Sequence, residues 1–178
     1  MNRAQFDHAV RAAANVAGVD EVIVIGSQAV HASLVADIPD VAMRSVEADI
    51  AIPGDEGDVK SDLVDGSIGE ASMFHETFGF YAQGISIETA ILPTGWYERL
   101  VRYESPATNG VVALCLSLED LWVSKALAGR PKDLEFCREL LALDALDKSQ
   151  LPARIETAPS HKAKKRLALG LLSSSSNS

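Results

Sequence analysis

The chain has 178 residues and a formal net charge of −9 at pH 7, and 47% of its residues are hydrophobic. These values predict an ordinary soluble globular protein with one domain, or with one domain and a helical appendage. No apolar run approaches the roughly 20 residues that cross a bilayer, and the first residues lack a signal-peptide core, so we expect a cytoplasmic protein without a membrane partner. Cys115 and Cys137 fit no zinc-knuckle spacing, and we expect both to be reduced thiols.

The charge is unevenly distributed along the chain. Residues 1–89 contain 4 Lys and Arg against 15 Asp and Glu, whereas residues 90–178 contain 12 against 10. An acidic half repels a bare polyanion, so the composition argues against non-specific binding of duplex DNA. A free nucleotide or a structured RNA end remains compatible with this charge.

In chain order, the hydrophobic pattern predicts an α/β core over residues 1–116 and a helical region over 117–172. The expected elements are a helix at 3–17, strand 21–26, helix 27–36, strand 46–52, helix 57–65, strand 85–92, strands near 99–104 and 111–116, and helices beginning at 117, 131, 148 and 160. The glycine-rich stretch 66–84 predicts no clear element, and the serine-rich residues 173–178 are expected to be a disordered tail.

The aliphatic run at residues 22–25 stops at Gly26 and Ser27. This pattern predicts a buried strand that turns sharply into a helix, whose first free N–H groups can hold a phosphate. The simpler interpretation is a plain turn in which Ser27 caps the helix.

The sequence Glu47-Ala48-Asp49 lies in the next predicted strand. Because side chains alternate along a strand, Glu47 and Asp49 share one face and are candidate ligands of a divalent metal ion. Glu88, on predicted strand 85–92, is a candidate third ligand. A solvated strand face would also explain these charges, but like charges two residues apart favour a nearby cation.

Four residues of the C-terminal helices are further candidates. Lys125 follows Leu118, Leu121 and Trp122 at helical spacing, so it lies on the stripe that faces the core, either extended along Trp122 or directed at phosphates. Asp133 falls in the first turn of the next helix, where it favourably meets the helix dipole. Arg130 and Lys132, beside it, are candidate phosphate contacts or solvated charges.

Two short segments are less informative. His75 and Glu76 lack the nucleophile spacing of a hydrolase triad, so an ordinary hydrogen-bonded histidine is the better interpretation, with a weak metal or base role left open. Trp96 and Tyr97 could stack on a base, but core packing is favoured.

Gly26-Ser27 followed by Glu47-x-Asp49 resembles the core motif of the DNA polymerase β-like nucleotidyltransferase superfamily. The helix that carries Lys125 and the Lys132-Asp133 block resemble its minimal, AbiEii-like branch, and the likeness spans roughly residues 20–143. It implies a small mixed sheet with flanking helices and a helical C-terminal region. It also implies transfer of a nucleoside monophosphate from an NTP with Mg²⁺ or Mn²⁺.

The resemblance also implies residue roles and partners. Gly26 and Ser27 would hold triphosphate oxygens, Lys125 would neutralise charge on the transferred group, and Asp133 would fix the lysine or the nucleophile. The acceptor would be RNA or protein. The AbiEii-like branch further implies a toxin of a toxin–antitoxin pair, with an antitoxin as partner.

One residue departs from the usual pattern, because Glu47 stands where the commoner motif has Asp. The longer side chain disturbs strict octahedral Mg²⁺ geometry. A first alternative is therefore a catalytically degenerate module of the same fold that binds a nucleotide or a partner. A metal-dependent phosphohydrolase is a second alternative, for which only His75 or Glu76 could serve as the base.

Overall fold

The computed structural model describes residues 1–175 of the chain. Its centre is one five-stranded mixed sheet with the strand order β3-β2-β1-β5-β4. The strands are β1 (Glu21–Val24), β2 (Glu47–Ala51), β3 (Tyr81–Gly84), β4 (Val101–Tyr103) and β5 (Val112–Cys115). β1 pairs antiparallel with β2 and parallel with β5, β2 pairs parallel with β3, and β4 pairs antiparallel with β5. The predicted mixed α/β fold is confirmed.

Helices flank the sheet and follow it in the chain. They are α1 (Arg3–Ala17), α2 (Asp40–Arg44), α3 (Val59–Ile68), α4 (Met73–Phe78), α5 (Leu118–Ala128), α6 (Pro131–Leu141), α7 (Leu151–Thr157) and α8 (Lys162–Ser175). The first helix has the bounds that the sequence predicts, because Asn2 and Gln5 form a capping box at its start and Gly18 ends it in a left-handed conformation. None of the described helices is long and apolar enough to cross a membrane.

The segment after Gly26 differs from its prediction. Residues Ser27–Ala32 form a short 3-10 helix rather than an α-helix that continues to residue 36. The side chains of Gln28 and His31 are buried in this turn. The Gln28 side-chain amide donates a hydrogen bond to the carbonyl of Ala42, at 2.9 Å, so the turn is tied to α2.

The predicted strand 85–92 is wrong. The amide of Ile85 donates the last hydrogen bond to β2, and the chain then turns into a 3-10 helix at Ile87–Thr89. The Thr89 hydroxyl donates to the Ser86 carbonyl at 2.7 Å, a local bond that competes with strand pairing. β2 also ends at Ala51, and Pro53 has no N–H group with which to extend the ladder.

α5 is a core helix that packs against α6, α7 and α8. Trp122 is fully buried, and its indole N–H donates a 3.1 Å hydrogen bond to the Cys137 carbonyl of α6. Cys137 is fully buried, and burial raises the pKa of its thiol to about 12, so the thiol is unreactive at neutral pH. Both cysteines are free. The packing of α5 against α6 fixes the two helices that carry the predicted basic residues of the site.

The last helix extends beyond its predicted end. α8 continues through Ser175, so it overlaps the start of the predicted tail 173–178. Residues 176–178 lie outside the described part of the chain.

Candidate functional site

Glu47 and Asp49 lie on one face of β2, as predicted. Their neighbours Ala48 and Ile50 are fully buried on the opposite face, while both carboxylates are half-buried. The two acids line one pocket, hereafter the charged pocket, together with Ser27. The alternation of side chains along the strand therefore places both carboxylates beside the turn that follows β1.

The turn at Gly26 is in very close contact with Asp49. A Cβ atom built on Gly26 would lie 1.6 Å from Oδ2 of Asp49, so only glycine leaves room for this carboxylate. The backbone of Gly26 is extended, with φ −82° and ψ −168°, so the requirement comes from space and not from backbone strain. The amide of Ile25 also donates to the Asp49 carbonyl at 3.1 Å.

The two carboxylates repel each other when both are ionised. Burial raises the pKa of Glu47, and the nearby Asp49 raises it further through its charge and through a hydrogen bond. The charges of Lys132 and Lys125 act in the opposite direction. A divalent cation between the carboxylates would relieve this repulsion, so the pair has the electrostatics of a metal site.

Cations from α5 and α6 face the carboxylates across the charged pocket. Lys125, Arg130 and Lys132 all line it. The side chain of Lys125 is only 15% exposed, and its ammonium lies 3.3 Å from Oδ1 of Asp133. This placement explains why a lysine follows the buried stripe of α5, since the side chain ends in the pocket rather than in bulk solvent.

Asp133 holds two of these cations at once. Its side chain is 1% exposed, and Nε of Arg130 donates to its Oδ2 at 2.6 Å. Burial alone would raise the pKa of Asp133, but the hydrogen bond from Arg130 and the charge of Lys125 outweigh it and hold the pKa below the ordinary value. Asp133 therefore orients Lys125 and Arg130 in addition to lying near the helix dipole.

Glu88 is not brought to this site. It is exposed in the 3-10 helix after β3, and it lines a different cavity, together with Asp55 and Asp58. Within residues 1–175, no group of three His, Cys, Asp or Glu side chains is placed to hold a metal ion. The prediction that Glu88 converges with Glu47 and Asp49 from an adjacent strand is wrong, because the chain turns before Glu88.

His75 and Glu76 lie on α4 and line none of the cavities at Glu47 and Asp49. Nδ1 of His75 accepts a 3.1 Å hydrogen bond from the amide of Ala71. This is the hydrogen-bonded histidine that the sequence favours, and it offers no water-activating base at the carboxylate pair.

Sequence reasoning missed β3, the strand beside the carboxylates. Tyr81 is in register with Glu47, and Gln83 is in register with Asp49. The side-chain amide of Gln83 donates to Asp65 of α3. Burial, followed by the charge of Glu47, raises the pKa of Tyr81 to about 12. The short apolar run of Phe80, Tyr81 and Ala82 between two glycines is the available signal, but it is too short to identify a strand.

A family model described as "Nucleotidyltransferase of unknown function (DUF6036)" matches residues 5–169. No curated protein and no solved structure matches the chain. Because the family model covers most of the chain, the chain belongs to this nucleotidyltransferase family, and the mixed sheet with flanking helices agrees with it.

Proposed function

We propose that the chain transfers a nucleoside monophosphate from an NTP to an acceptor, with a divalent metal ion at Glu47 and Asp49. The observation that carries this proposal is the charged pocket, where two carboxylates face Lys125, Arg130 and Lys132 across one small space. A carboxylate pair alone attracts a cation, and basic side chains alone attract an anion. Their combination suits a metal–triphosphate complex.

The donor set fits Mg²⁺ or Mn²⁺. Magnesium in nucleotide enzymes commonly uses one or two protein carboxylates and completes its shell with water and phosphate oxygens. Glu47 and Asp49 supply that number. No third His, Cys, Asp or Glu among the described residues is grouped with them to hold the same ion, so the other positions are left to substrate and water. When bound, the metal ion supplies positive charge to the phosphate oxygens.

The remaining roles belong to side chains of the pocket. Ser27 and the basic residues Arg130 and Lys132 bind oxygens of the triphosphate. Lys125 neutralises charge on the transferred group, held in place by Asp133. An acceptor hydroxyl would lose its proton to solvent as its oxygen forms a bond to the α-phosphorus. The bond from the α-phosphorus to the oxygen that bridges to the β-phosphate would break, and pyrophosphate would leave.

The test uses the full chain and a matched pair of acidic variants. We expect ATP to raise the thermal stability only with Mg²⁺ or Mn²⁺, by about 2.7 kcal/mol at 100 times the dissociation constant. Asp49→Asn is expected to abolish this stabilisation and the transfer of label from each NTP to RNA or protein. The control is Glu88→Gln, which removes a carboxylate outside the pocket and should leave both readouts unchanged. Identical behaviour of wild type and Asp49→Asn in every assay would refute the proposal.

A degenerate binding module is the second candidate, favoured by Glu47 in the usual Asp position. Glu47→Asp separates the two. An active enzyme adjusted to the longer side chain should lose activity in this variant. A degenerate site should instead gain affinity for metal and nucleotide, because the shorter carboxylate restores the common pattern.

The choice of acceptor stays a prediction. The resemblance of the motifs alone supports RNA or protein as the acceptor. It alone also supports membership of the AbiEii-like branch and a toxin role with an antitoxin partner. Labelled RNA, labelled protein or free phosphate as the product would distinguish acceptor classes and the hydrolase alternative.

A further inference from the structure

A second cavity adjoins the charged pocket. It shares Asp49, Lys125 and Arg130 with that pocket and extends to the other side of them. Its volume is about 430 Å³, against about 90 Å³ for the charged pocket. The three shared residues therefore stand at the junction of two spaces, of which the second is large enough for a small organic ligand.

The second cavity has different walls. Apart from the shared residues, most of its lining is apolar, contributed by Ile25, Ile85, Ala90, Ile91 and Ala128. We call it the isoleucine cavity. Its lining also includes two residues that carry a hydroxyl group, Thr89 and Ser124. Away from the three shared charged residues, walls of this kind suit an uncharged, partly polar ligand rather than a phosphate.

We propose that the isoleucine cavity binds the nucleoside part of the NTP, an inference that rests on the proposed function of the charged pocket. An NTP is one molecule with a charged half and an uncharged half, joined at the α-phosphate. The two cavities have the same division, and Asp49, Lys125 and Arg130 lie where the α-phosphate would be. An RNA acceptor fits the isoleucine cavity less well, because its own phosphates would meet no described basic residue there beyond the shared Lys125 and Arg130.

The two hydroxyls predict a weak preference among bases. The Thr89 hydroxyl already donates to the Ser86 carbonyl, so its lone pairs are left to accept from the ligand. The hydroxyl of Ser124, half-buried on α5, can donate or accept. Groups of this kind can meet the edge of any base or a ribose hydroxyl, so we expect the four NTPs to bind with similar affinity.

The test compares two ligands, Mg–ATP and Mg–tripolyphosphate, by calorimetric titration of the full-length protein. Tripolyphosphate fills only the charged pocket, whereas ATP would fill both spaces. Ser124→Leu places a larger side chain in the isoleucine cavity. We expect this variant to bind Mg–ATP at least about tenfold more weakly, with unchanged affinity for Mg–tripolyphosphate. Ser67→Leu, the same change at an exposed position of α3, is the control, and Ala128→Leu repeats the test from a second wall residue.

Three results would overturn the inference. Wild-type protein that binds both ligands equally would show that the nucleoside has no subsite, while the proposed function would stand. Unchanged Mg–ATP affinity in both cavity variants with reduced transfer would assign the cavity to the acceptor. If both cavity variants, Ser124→Leu and Ala128→Leu, failed to bind either Mg–ATP or Mg–tripolyphosphate at unchanged melting temperature, the cavity would not act separately from the charged pocket. Failure of the wild type to bind either ligand would instead refute the proposed function.

Discussion

Gly26, just after β1, is packed against the carboxylate of Asp49 and leaves no space for a side chain. Because a Cβ atom at this position would lie 1.6 Å from Oδ2 of Asp49, any side chain must displace this carboxylate or the strand. We expect Gly26→Ala to lower the free energy of unfolding by about 1–3 kcal/mol, as overpacking does. It should also weaken Mg²⁺-dependent binding of ATP. Chemical denaturation and titration calorimetry measure the two effects.

Gly66→Ala is the matched control. Gly66 lies within α3, and a Cβ atom there would meet nothing within 4 Å. Replacement of a helical glycine by alanine should stabilise the chain by roughly 0.5–1 kcal/mol. Equal effects of the two substitutions would contradict the close contact between Gly26 and Asp49.

Glu47 makes stability depend on pH. Its pKa is raised above the ordinary value of 4.5 by burial and by Asp49, so ionisation is harder in the folded state than in the unfolded chain. The wild type should therefore lose stability as the pH rises from 4.5 through the raised pKa. Glu47→Gln cannot ionise and should gain stability over the wild type across this same range. Urea denaturation between about pH 4 and pH 8, with a chelator present, tests this sign. A stability difference that stays constant with pH would contradict it.

At the scale of elements, the site is held by the junction of α5 and α6. Asp133 of α6 bonds Arg130 and contacts Lys125 of α5 from a position that is 1% exposed. Asp133→Asn should cost about 1–3 kcal/mol at neutral pH, since it weakens charged hydrogen bonds to a buried partner. It should also slow transfer, because Lys125 loses its orientation. Thermal unfolding and single-turnover kinetics measure the two effects.

The pH dependence of Asp133→Asn has the opposite sign to that of Glu47→Gln. The pKa of Asp133 is held below its ordinary value of 3.8, so its stabilising effect is full above 3.8 and is lost as the pH falls through the lowered pKa. The cost of Asp133→Asn should therefore shrink in acid. Asp144→Asn, at an exposed position outside the buried junction, is the control and should change the free energy of unfolding by less than about 0.5 kcal/mol.

Elements with a strong local signal could be predicted from the sequence. α1 has caps at both ends, β2 alternates charged and buried residues, and Gly129 with Pro131 separates α5 from α6. These signals depend on residues a few positions apart. For the same reason, the shared face of Glu47 and Asp49 could be predicted from the strand itself, whereas Lys125 is assigned to their site by the resemblance of the motifs.

The remaining elements depend on partners distant in the chain. β3 has four residues, and its place beside β2 is set by pairing with residues far earlier in the sequence, such as Tyr81 with Glu47. A strand through Glu88 would need β2 as its partner, and β2 ends at Ala51. The local pattern around Glu88 does not show this. The alternating isoleucines of 85–91 are apolar because they line a cavity and the core, and not because they form a strand.

At the scale of the whole molecule, the two predicted regions share one core and one site. Glu47 and Asp49 come from the sheet, whereas Lys125 and Asp133 come from the helices that follow it. Leu121, Trp122 and Leu127 of α5 are fully buried. A core built jointly by both regions predicts one cooperative unfolding transition.

This prediction can be measured with a single fluorophore. The chain has two tryptophans, and Trp96→Phe leaves Trp122 as a reporter of the α5 environment. Its fluorescence and the far-UV circular dichroism of the whole chain should give the same midpoint in urea. Two separated midpoints would show that the region after residue 116 unfolds independently.

The alternation along β2 also affects how the chain selects its native pairing. A shift of β2 by one residue against β1 would turn Glu47 and Asp49 toward the core and expose Ala48 and Ile50. Two ionised carboxylates would then lose water without gaining a cation, a penalty far larger than that of misplacing an alanine. The two acids therefore act as markers of strand register during folding, and an apolar replacement of both would remove the main penalty on the slipped sheet.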